Sequence, residues 1–261
     1  MEQVLIPRAV AQLSEIEWTD ATWNPVTGCT KIGAGCDHCY AQRFAERWRG
    51  VEGHPYEQGF DLRLWPNRLN YPLKWRKPRM IFVNSMSDLF HKKVERKFID
   101  QVFDVMEEAN WHVFQLLTKR SSLMRHYLGV RYKGKPVPDH IWIGVSVEDS
   151  SKIRRISHLV SINSNARFVS FEPLLGLIPN VNLSGLVWAI VGGESGPQAR
   201  TMEKQWVIEI KDACQQHQVE FFFKQWGGLR PKINGRILDG REWNGFPLHV
   251  VPNPIQEALT R

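Results

Sequence analysis

Residues 186–196 read LVWAIVGGESG, an apolar run followed directly by a polar, glycine-rich turn. The run has no polar residue, so it predicts a strand covered on both faces, which is typical of parallel sheets. Similar runs, most of them followed by polar side chains, recur at Met80–Val83, His112–Leu117, Ile141–Val145, Arg167–Phe171 and Val219–Phe223. The repetition predicts a sheet built from six such strands, and we expect one more near Ile16–Trp18.

Helical patterns separate several of these runs. Apolar residues recur every three or four positions over residues 94–109, 149–161 and 203–217, which predicts amphipathic helices. Strands alternating with helices indicate βαβ units. We therefore predict an α/β fold, a partial or full (βα) barrel of about six to seven parallel strands. A doubly wound open sheet is the alternative.

The chain is expected to form a single domain over residues 1–261. Residues 15–228 would be the barrel core, with a cysteine loop at 29–39. Residues 229–261 contain Gly, Pro and Asn and are predicted to be an irregular C-terminal extension.

The overall composition is that of an ordinary globular protein, 43% hydrophobic and 23% charged, which argues against disorder. The formal net charge of +7 permits a nucleic-acid partner or an anionic cofactor. No signal peptide is visible, and no apolar stretch is long enough to span a bilayer. We expect a cytoplasmic protein with no membrane partner; the oligomeric state is left open.

Charged side chains follow the predicted strands where each strand ends. In parallel α/β folds the carboxyl ends of the strands share one face, and that face carries the site. We therefore expect the five charged residues of these loops to converge on one mouth; they are Asp88, Lys119, Glu148, Glu172 and Glu194.

Three of the four cysteines lie close together, as Cys29-x6-Cys36-x2-Cys39. A tight cluster outside a disulfide framework favours metal binding or redox chemistry. A helix is predicted directly after it, from Tyr40 to Trp48. Structural zinc sites and four-iron clusters take four ligands, so three thiolates leave one position open. His38 and Cys214 are the alternatives for a fourth ligand, the latter also reading as a buried core cysteine.

The cysteine loop and the barrel pattern resemble the radical S-adenosylmethionine superfamily. The chain as a whole is also similar to a phage-associated protein family of uncharacterised function with such a barrel. The matching segments are TDATWNPVTGC (19–29), CDHCYAQR (36–43), FVNSMSDLFH (82–91), LLTKR (116–120), GVSVED (144–149), FVSFEPLLG (168–176) and VGGESGPQAR (191–200). The superfamily's common spacing is Cys-x3-Cys-x2-Cys, so the first gap here is three residues longer.

The resemblance implies a [4Fe–4S] cluster on Cys29, Cys36 and Cys39, whose open iron takes the methionine moiety of S-adenosyl-L-methionine. One electron then yields a 5′-deoxyadenosyl radical. The resemblance also implies an electron donor such as flavodoxin or ferredoxin. Strand order assigns the cofactor contacts: Ser85, Ser87 and Asp88 to the amino group, Lys119 or Arg120 to the carboxylate, and Ser146 and Glu148 to the ribose.

Glu172, Glu194 and Lys224 lie on later loops and are the candidate catalytic residues, because carboxylates can transfer protons. The alternative is a buried ion-pair network with Lys224 or Arg200. The basic and aromatic segment Leu73–Arg79 would suit a nucleic-acid strand or a solvated connector. The expected substrate is a nucleic-acid base or lesion, in DNA modification or repair. The competing function is a nucleic-acid-binding module with a structural zinc on the cysteine loop.

Overall fold

The computed structural model describes residues 16–259. Within them a seven-stranded parallel sheet forms the centre of the molecule. Its strands, in spatial order, are β1 (Ala21–Trp23), β4 (Met80–Val83), β5 (Val113–Thr118), β6 (Ile141–Ser146), β7 (Arg167–Phe171), β8 (Trp188–Gly192) and β9 (Glu220–Gln225). A small antiparallel ribbon, β2 (Val26–Thr27) with β3 (Arg63–Leu64), stands apart from this sheet.

Helices connect most successive strands. They are α1 (Tyr40–Glu46), α2 (Tyr71–Lys74), α3 (Arg96–Glu108), α4 (Ser121–Tyr132), α5 (Arg154–Val160), α6 (Lys204–His217), α7 (Pro231–Asn234) and α8 (Asn253–Leu259). The helices predicted at 94–109 and 203–217 correspond to α3 and α6. The one predicted at 149–161 is a 3-10 turn, Ser150–Lys152, followed by α5. The helix α1 ends at Glu46, two residues before the predicted end.

The strands follow one another across the sheet in chain order, without reversal. A doubly wound sheet reverses its strand order at a switch point, so that alternative is wrong and the sheet is a curled half-barrel. The first strand is not at Ile16–Trp18. It lies at Ala21–Trp23, where Thr22 is in register with Phe82 of β4.

Alternation along each strand divides the core into two layers. On the convex side, residues such as Ile81, Phe114 and Val169 pack with the helices in the main core. On the concave side, a second core holds mainly rings, and α8 packs against it through Ile255. We call this second core the aromatic floor; its large members are Trp18, Phe82, Trp142, Phe168, Trp188 and Phe222.

The C-terminal residues Phe246, Val250, Val251 and Ile255 thus cover the concave face near the amino ends of the strands. The indole Nε1 of Trp188 donates to the carbonyl of Gly245 at 2.8 Å, which ties this segment to β8. The single-domain boundaries and the irregular character of 229–261 stay predictions, and residues 1–15 and 260–261 lie outside the described residues. No helix in the described part of the chain is long and apolar enough to cross a membrane.

Candidate functional site

Aromatic side chains line the concave side near the amino ends of the strands, and polar side chains line it near the carboxyl ends. On β7, Phe168 belongs to the aromatic floor and Ser170, two residues on, faces the same way. Ser170 is in register with Ser146 of β6. Glu172 comes next, and its carboxylate lies against Gly192, where an added Cβ would sit 2.8 Å from Oε1. The mouth of the half-barrel is therefore lined by polar side chains above a closed floor.

Three ion pairs lie in this mouth. Lys119 Nζ pairs with Glu148 and also donates to the carbonyl of Glu172 at 3.3 Å, while Arg155 Nη1 holds the other Glu148 oxygen at 2.8 Å. Lys224 Nζ lies 2.9 Å from Glu172 Oε1. Burial opposes the charge on Lys224, but Glu172 outweighs it and raises the lysine pKa.

The predicted alternative of an ion-pair network is thus what the structure shows for Glu172 with Lys224 and for Glu194 with Arg200. Ser170 Oγ donates to the second oxygen of Glu172 at 3.0 Å. The candidate catalytic groups are therefore engaged in ion pairs within the protein. Their roles in proton transfer stay predictions.

The cysteine loop, residues 29–39, extends over this mouth. At its start the amide of Gly28 donates to Met86 at 3.0 Å. In its middle, Gly35 lies so close to Glu148 that an added Cβ would sit 2.4 Å from Cγ. Just after it, Tyr40 Oη donates to the carbonyl of Ser85 at 2.5 Å. The loop therefore contacts the segments that follow both β4 and β6.

The Cys29 end of the loop is anchored by Arg120, the residue directly before α4. Its Nη1 lies 3.4 Å from Cys29 Sγ and 2.8 Å from Asp88 Oδ2, and its Nη2 donates to the carbonyl of Thr30 at 2.9 Å. His91 Nε2 also hydrogen-bonds Thr30 Oγ1 at 2.9 Å. Burial raises the pKa of the Cys29 thiol, and the Arg120 charge partly offsets this.

The Cys36–Cys39 end is anchored from the segment that follows β8. Glu194, with its side chain 4% exposed, accepts from Arg200 Nε at 2.9 Å and contacts His38 Nδ1 at 2.9 Å. Arg200 Nη2 also donates to the carbonyl of Ala34 at 2.8 Å. Burial raises the pKa of Glu194, but the hydrogen bonds from Arg200 and His38 outweigh it and lower the pKa to about 2. A carboxylate that is ionised at neutral pH thus holds this end of the loop.

Glycines in the segments that follow β8 and β9 bring Glu194 to this position. An added Cβ on Gly193 would sit 2.1 Å from the carbonyl oxygen of Trp226, and one on Gly227 would sit 2.3 Å from that of Glu194. The two connecting segments therefore pack backbone against backbone. The Gly192-Gly193-Glu194 stretch serves close packing and placement of one carboxylate.

All three loop thiols are free and partly exposed. Cys29 and Cys39 pack against the same small cluster, formed by Ala41, Ala45 and Phe60. Cys214 lies on α6 in the main core, 1% exposed, where burial raises its thiol pKa. Cys214 is thus removed as a fourth ligand, and the reading of it as a core cysteine is confirmed.

Within residues 16–259 no three Cys, His, Asp or Glu side chains are grouped closely enough to hold a metal ion. The donor set nevertheless fits a soft metal, because it offers three thiols, all partly exposed, on one loop at the mouth. Cys29 also has a guanidinium beside it, which favours the thiolate. Ligation by the three cysteines stays a prediction, and it requires the loop to draw its thiols together.

The predicted cofactor contacts after β4 are engaged within the protein. Ser85 Oγ hydrogen-bonds Asn24 and Ser87 Oγ donates to the carbonyl of Val26 at 2.8 Å. The Asp88 oxygens accept from Thr118 Oγ1 at 2.8 Å and from Arg120. Asp88 therefore orients Arg120, and the amino-group role proposed for these three residues stays a prediction.

Three residues of the site were not predicted. Asn84 directly follows β4 at a φ of 60° and is 3% exposed, and its Nδ2 has no hydrogen-bond partner among the described residues. The sequence does offer one signal for Asn84, because an asparagine directly after a buried strand can adopt the left-handed backbone conformation that ends the strand. His91 and Arg155 gave no comparable signal, since their contacts with Thr30 and Glu148 join separate segments.

A family described as "Protein of unknown function (DUF5131)" matches residues 13–247, and the chain belongs to it. No curated relative matches the sequence. Among solved structures, the chain is similar to spore photoproduct lyase complexed with dinucleoside spore photoproduct, at 12% identity and a TM-score of 0.45, covering 82% of this chain and 66% of that one. A lyase mutant with bound AdoMet and dinucleoside spore photoproduct gives 12% identity, a TM-score of 0.45, and 84% and 59% coverage.

Proposed function

We propose that this member of the DUF5131 family is a radical S-adenosylmethionine enzyme acting on a nucleic-acid base or lesion. One observation carries the proposal: a three-cysteine loop lies over the carboxyl mouth of a parallel half-barrel and is fastened there at both ends by buried charges. In parallel α/β folds that mouth is where reactions take place. The floor below it is closed by rings, so the mouth is the accessible side of the concave face.

Cys29, Cys36 and Cys39 would hold a [4Fe–4S] cluster. A fourth ligand from Cys214 is excluded by its place in the core, and the Nδ1 atom of His38 contacts Glu194. When bound, the cluster and S-adenosylmethionine together supply a 5′-deoxyadenosyl radical. Three protein ligands leave the open position that this chemistry needs.

The chain's own residues would bind and orient the cofactor and substrate. Arg120 places a positive charge beside Cys29 and is held by Asp88. The unpaired Nδ2 of Asn84 is a buried donor that a bound acceptor would satisfy. Ser85 and Ser87 remain candidates for the amino group of the cofactor. Lys119, Ser146 and Glu148 remain candidates for its carboxylate and ribose.

Glu172 and Lys224 form the ion pair best placed for proton transfer to a substrate in the mouth. Ser170 and Lys224 orient the carboxylate, and the lysine keeps its proton at Nζ because its pKa is raised. Glu194 was predicted as catalytic. Its contacts with Arg200 and His38 support a positioning role for the cysteine loop instead.

The net charge of +7 supports a nucleic-acid substrate. A basic and aromatic surface adjoins the cysteine loop: the guanidinium groups of Arg63 and Arg68 lie 4.0 and 3.8 Å from the ring centre of Trp65. These residues lie on β3 and directly after it. The strand β3 pairs with β2, which ends two residues before Cys29. The segment Leu73–Arg79 is less suited, because it precedes β4 at the amino end of the sheet and Trp75 packs against the main core.

The test is anaerobic reconstitution with iron and sulfide, reduction with dithionite, and detection of 5′-deoxyadenosine from S-adenosylmethionine. Wild type is expected to release it, and Cys29→Ala, Cys36→Ala and Cys39→Ala are expected to release none. Cys214→Ala is the matched control and should keep the activity, because this thiol lies in the core. A fully loaded, reduced protein that never cleaves the cofactor would refute the proposal.

A further inference from the structure

Residues 62–79 carry most of the net positive charge of the chain. This stretch, LRLWPNRLNYPLKWRKPR, contains six Lys or Arg residues and no Asp or Glu. The net charge of the whole chain is +7, so the remaining residues together are nearly neutral. Such a concentration of one charge favours an anionic partner at this segment. We call residues 62–79 the basic segment; its cations are Arg63, Arg68, Lys74, Arg76, Lys77 and Arg79.

The cations of the basic segment have no carboxylate partner. Within residues 16–259 none of the six forms an ion pair. Four of them are exposed, namely Arg63, Lys74, Arg76 and Lys77. Asp61, directly before the segment, pairs with Arg49. Burial raises the pKa of Asp20, and the charge of Arg79 only partly offsets this. The positive charge of the segment is therefore available to a bound anion.

Aromatic rings within the basic segment hold its cations. The guanidinium carbons of Arg63 and Arg68 lie 4.0 and 3.8 Å from the ring centre of Trp65. The Nζ atom of Lys74 lies 5.5 Å from the ring centre of Tyr71. Contacts of this kind orient a cation without neutralising its charge. Because the faces of these rings are already used, the segment suits contacts with phosphates better than stacking of bases.

The basic segment runs from the mouth to the amino end of the sheet. Near the mouth, the amide of Trp65 donates to the carbonyl of Pro25 at 2.8 Å, and its Nε1 donates to Thr27 Oγ1 at 2.9 Å. At the other end, Arg79 directly precedes β4, so the segment follows the length of this four-residue strand. Four strand residues span about 13 Å, and one strand of a duplex has a phosphate about every 3.4 Å of axis. The segment can thus follow about four phosphates.

We propose that the basic segment binds the phosphate backbone of the nucleic-acid strand that flanks the reacting base. This inference rests on the proposed function, because it is the nucleic-acid substrate of the mouth that the segment would hold. Arg63 and Arg68 would contact the phosphates nearest the reacting base, and Lys74 and Lys77 those further along the strand. The residues of Leu73–Arg79 lie away from the mouth, so they would hold the strand and not the base.

An acidic protein fits the basic segment less well. Protein interfaces have an apolar centre, but the exposed large hydrophobic side chain of this segment is Tyr71, which already contacts Lys74. Trp75 packs against the main core. A phosphate backbone needs no apolar contact, since its affinity for proteins comes from charge.

The test compares two double variants of the full chain as purified. One carries Lys74→Gln with Lys77→Gln, and the matched control carries Lys133→Gln with Lys135→Gln. All four lysines are exposed, so each variant loses two surface charges and should keep its fold. Fluorescence anisotropy measures binding of a labelled single-stranded oligonucleotide, and of its duplex, at several salt concentrations.

The Lys74/Lys77 variant should bind about tenfold more weakly than wild type at low salt. The slope of log K against log salt should become shallower by about 1.4 for the single strand or by about 1.8 for the duplex, as expected for two lost phosphate contacts. The control variant should bind like wild type. Equal binding by the two double variants, or a wild type that binds neither nucleic acid, overturns the proposal.

An abasic strand of the same length separates phosphate contacts from base stacking. The Lys74/Lys77 variant should lose affinity by the same factor for abasic and ordinary strands. A loss confined to strands that carry bases would overturn the proposal in favour of stacking. Polyglutamate bound as tightly as the oligonucleotide would overturn it in favour of an acidic protein. Failure of the reconstituted protein to release 5′-deoxyadenosine refutes the proposed function, and the binding assay still decides the role of the basic segment.

Discussion

The aromatic floor and the charged mouth are two halves of the same concave surface, only a few residues apart along each strand. At the floor Trp188 is fully buried and contacts Trp18, Trp142 and Phe222. At the mouth Glu172 and Lys224 meet in an ion pair that is still partly accessible. The floor buries apolar area and gains stability from it, whereas the mouth places charges where they can act on a ligand. The comparison teaches that stability and chemistry are separated along the strands.

The largest expected effect is at the floor. Trp188→Ala removes a ring that is fully buried and surrounded by other rings, so the free energy of unfolding should fall by about 3–5 kcal/mol. Urea unfolding measures this. The exposed Phe44, 43% accessible, supplies the control Phe44→Ala, which should cost far less. Equal losses for the two variants would show that the floor is not the stabilising half.

A substitution at the mouth should lower the stability for a different reason, because it leaves a charge without its partner. Lys224→Met leaves the Glu172 carboxylate without its cation and should lower the free energy of unfolding by about 2–3 kcal/mol. The double variant Glu172→Gln with Lys224→Met should recover most of this loss, since the unpaired charge is gone. Urea unfolding of the four-member cycle checks the coupling. Additive losses would mean that the pair does not act as a unit.

Glu194 should make the free energy of unfolding depend on pH. Its pKa is about 2 in the folded protein against an ordinary value of 4.5, so its contribution to stability is complete above about pH 4.5 and is lost as the pH falls towards 2. Wild type should exceed Glu194→Gln by about 2 kcal/mol at neutral pH, and the difference should shrink only in that acid range. Unfolding curves at several pH values measure it. A difference that disappears near neutral pH would contradict the pairing with Arg200.

The smallest effect separates the two ends of the cysteine loop. In the metal-free protein, Arg200→Gln should speed alkylation of Cys36 and Cys39 about threefold, because it releases the end held by Glu194. Arg120→Gln should instead affect Cys29. Peptide mass spectrometry after brief iodoacetamide treatment reads each thiol separately. Uniform changes at all three thiols would show that the loop moves as one unit.

The sequence predicted the sheet well, because apolar runs report strands buried on both faces. Met80–Val83 and Arg167–Phe171 match β4 and β7 to the residue. The first strand was misplaced because Ile16–Trp18 looks more apolar than Ala21–Trp23. Trp18 is indeed buried, but in the aromatic floor rather than in a strand. A short stretch of apolar residues indicates burial, but it does not show whether the buried residues belong to a strand or to a loop that packs on the sheet.

The location of the site could be predicted from the sequence, but the contacts between its charged side chains could be predicted less well. Strand order placed Lys119, Glu148 and Glu172 at one mouth, and the structure brings them together. The contact of His38 with Glu194 joins residues 156 positions apart, and no local pattern reports such a contact. The same holds for Arg155, which meets Glu148 only because a 3-10 turn folds the chain back between them. The charge of each residue could be read from the sequence, but its partner required the fold.

Metal and sulfide analysis of protein purified and reconstituted without oxygen tests the central claim most directly. The account predicts about four irons and four sulfides per chain in wild type and in Cys214→Ala, and loss of both in Cys29→Ala, Cys36→Ala or Cys39→Ala. One zinc per chain with no iron or sulfide, retained through reconstitution, would contradict it and would favour a structural metal on the cysteine loop.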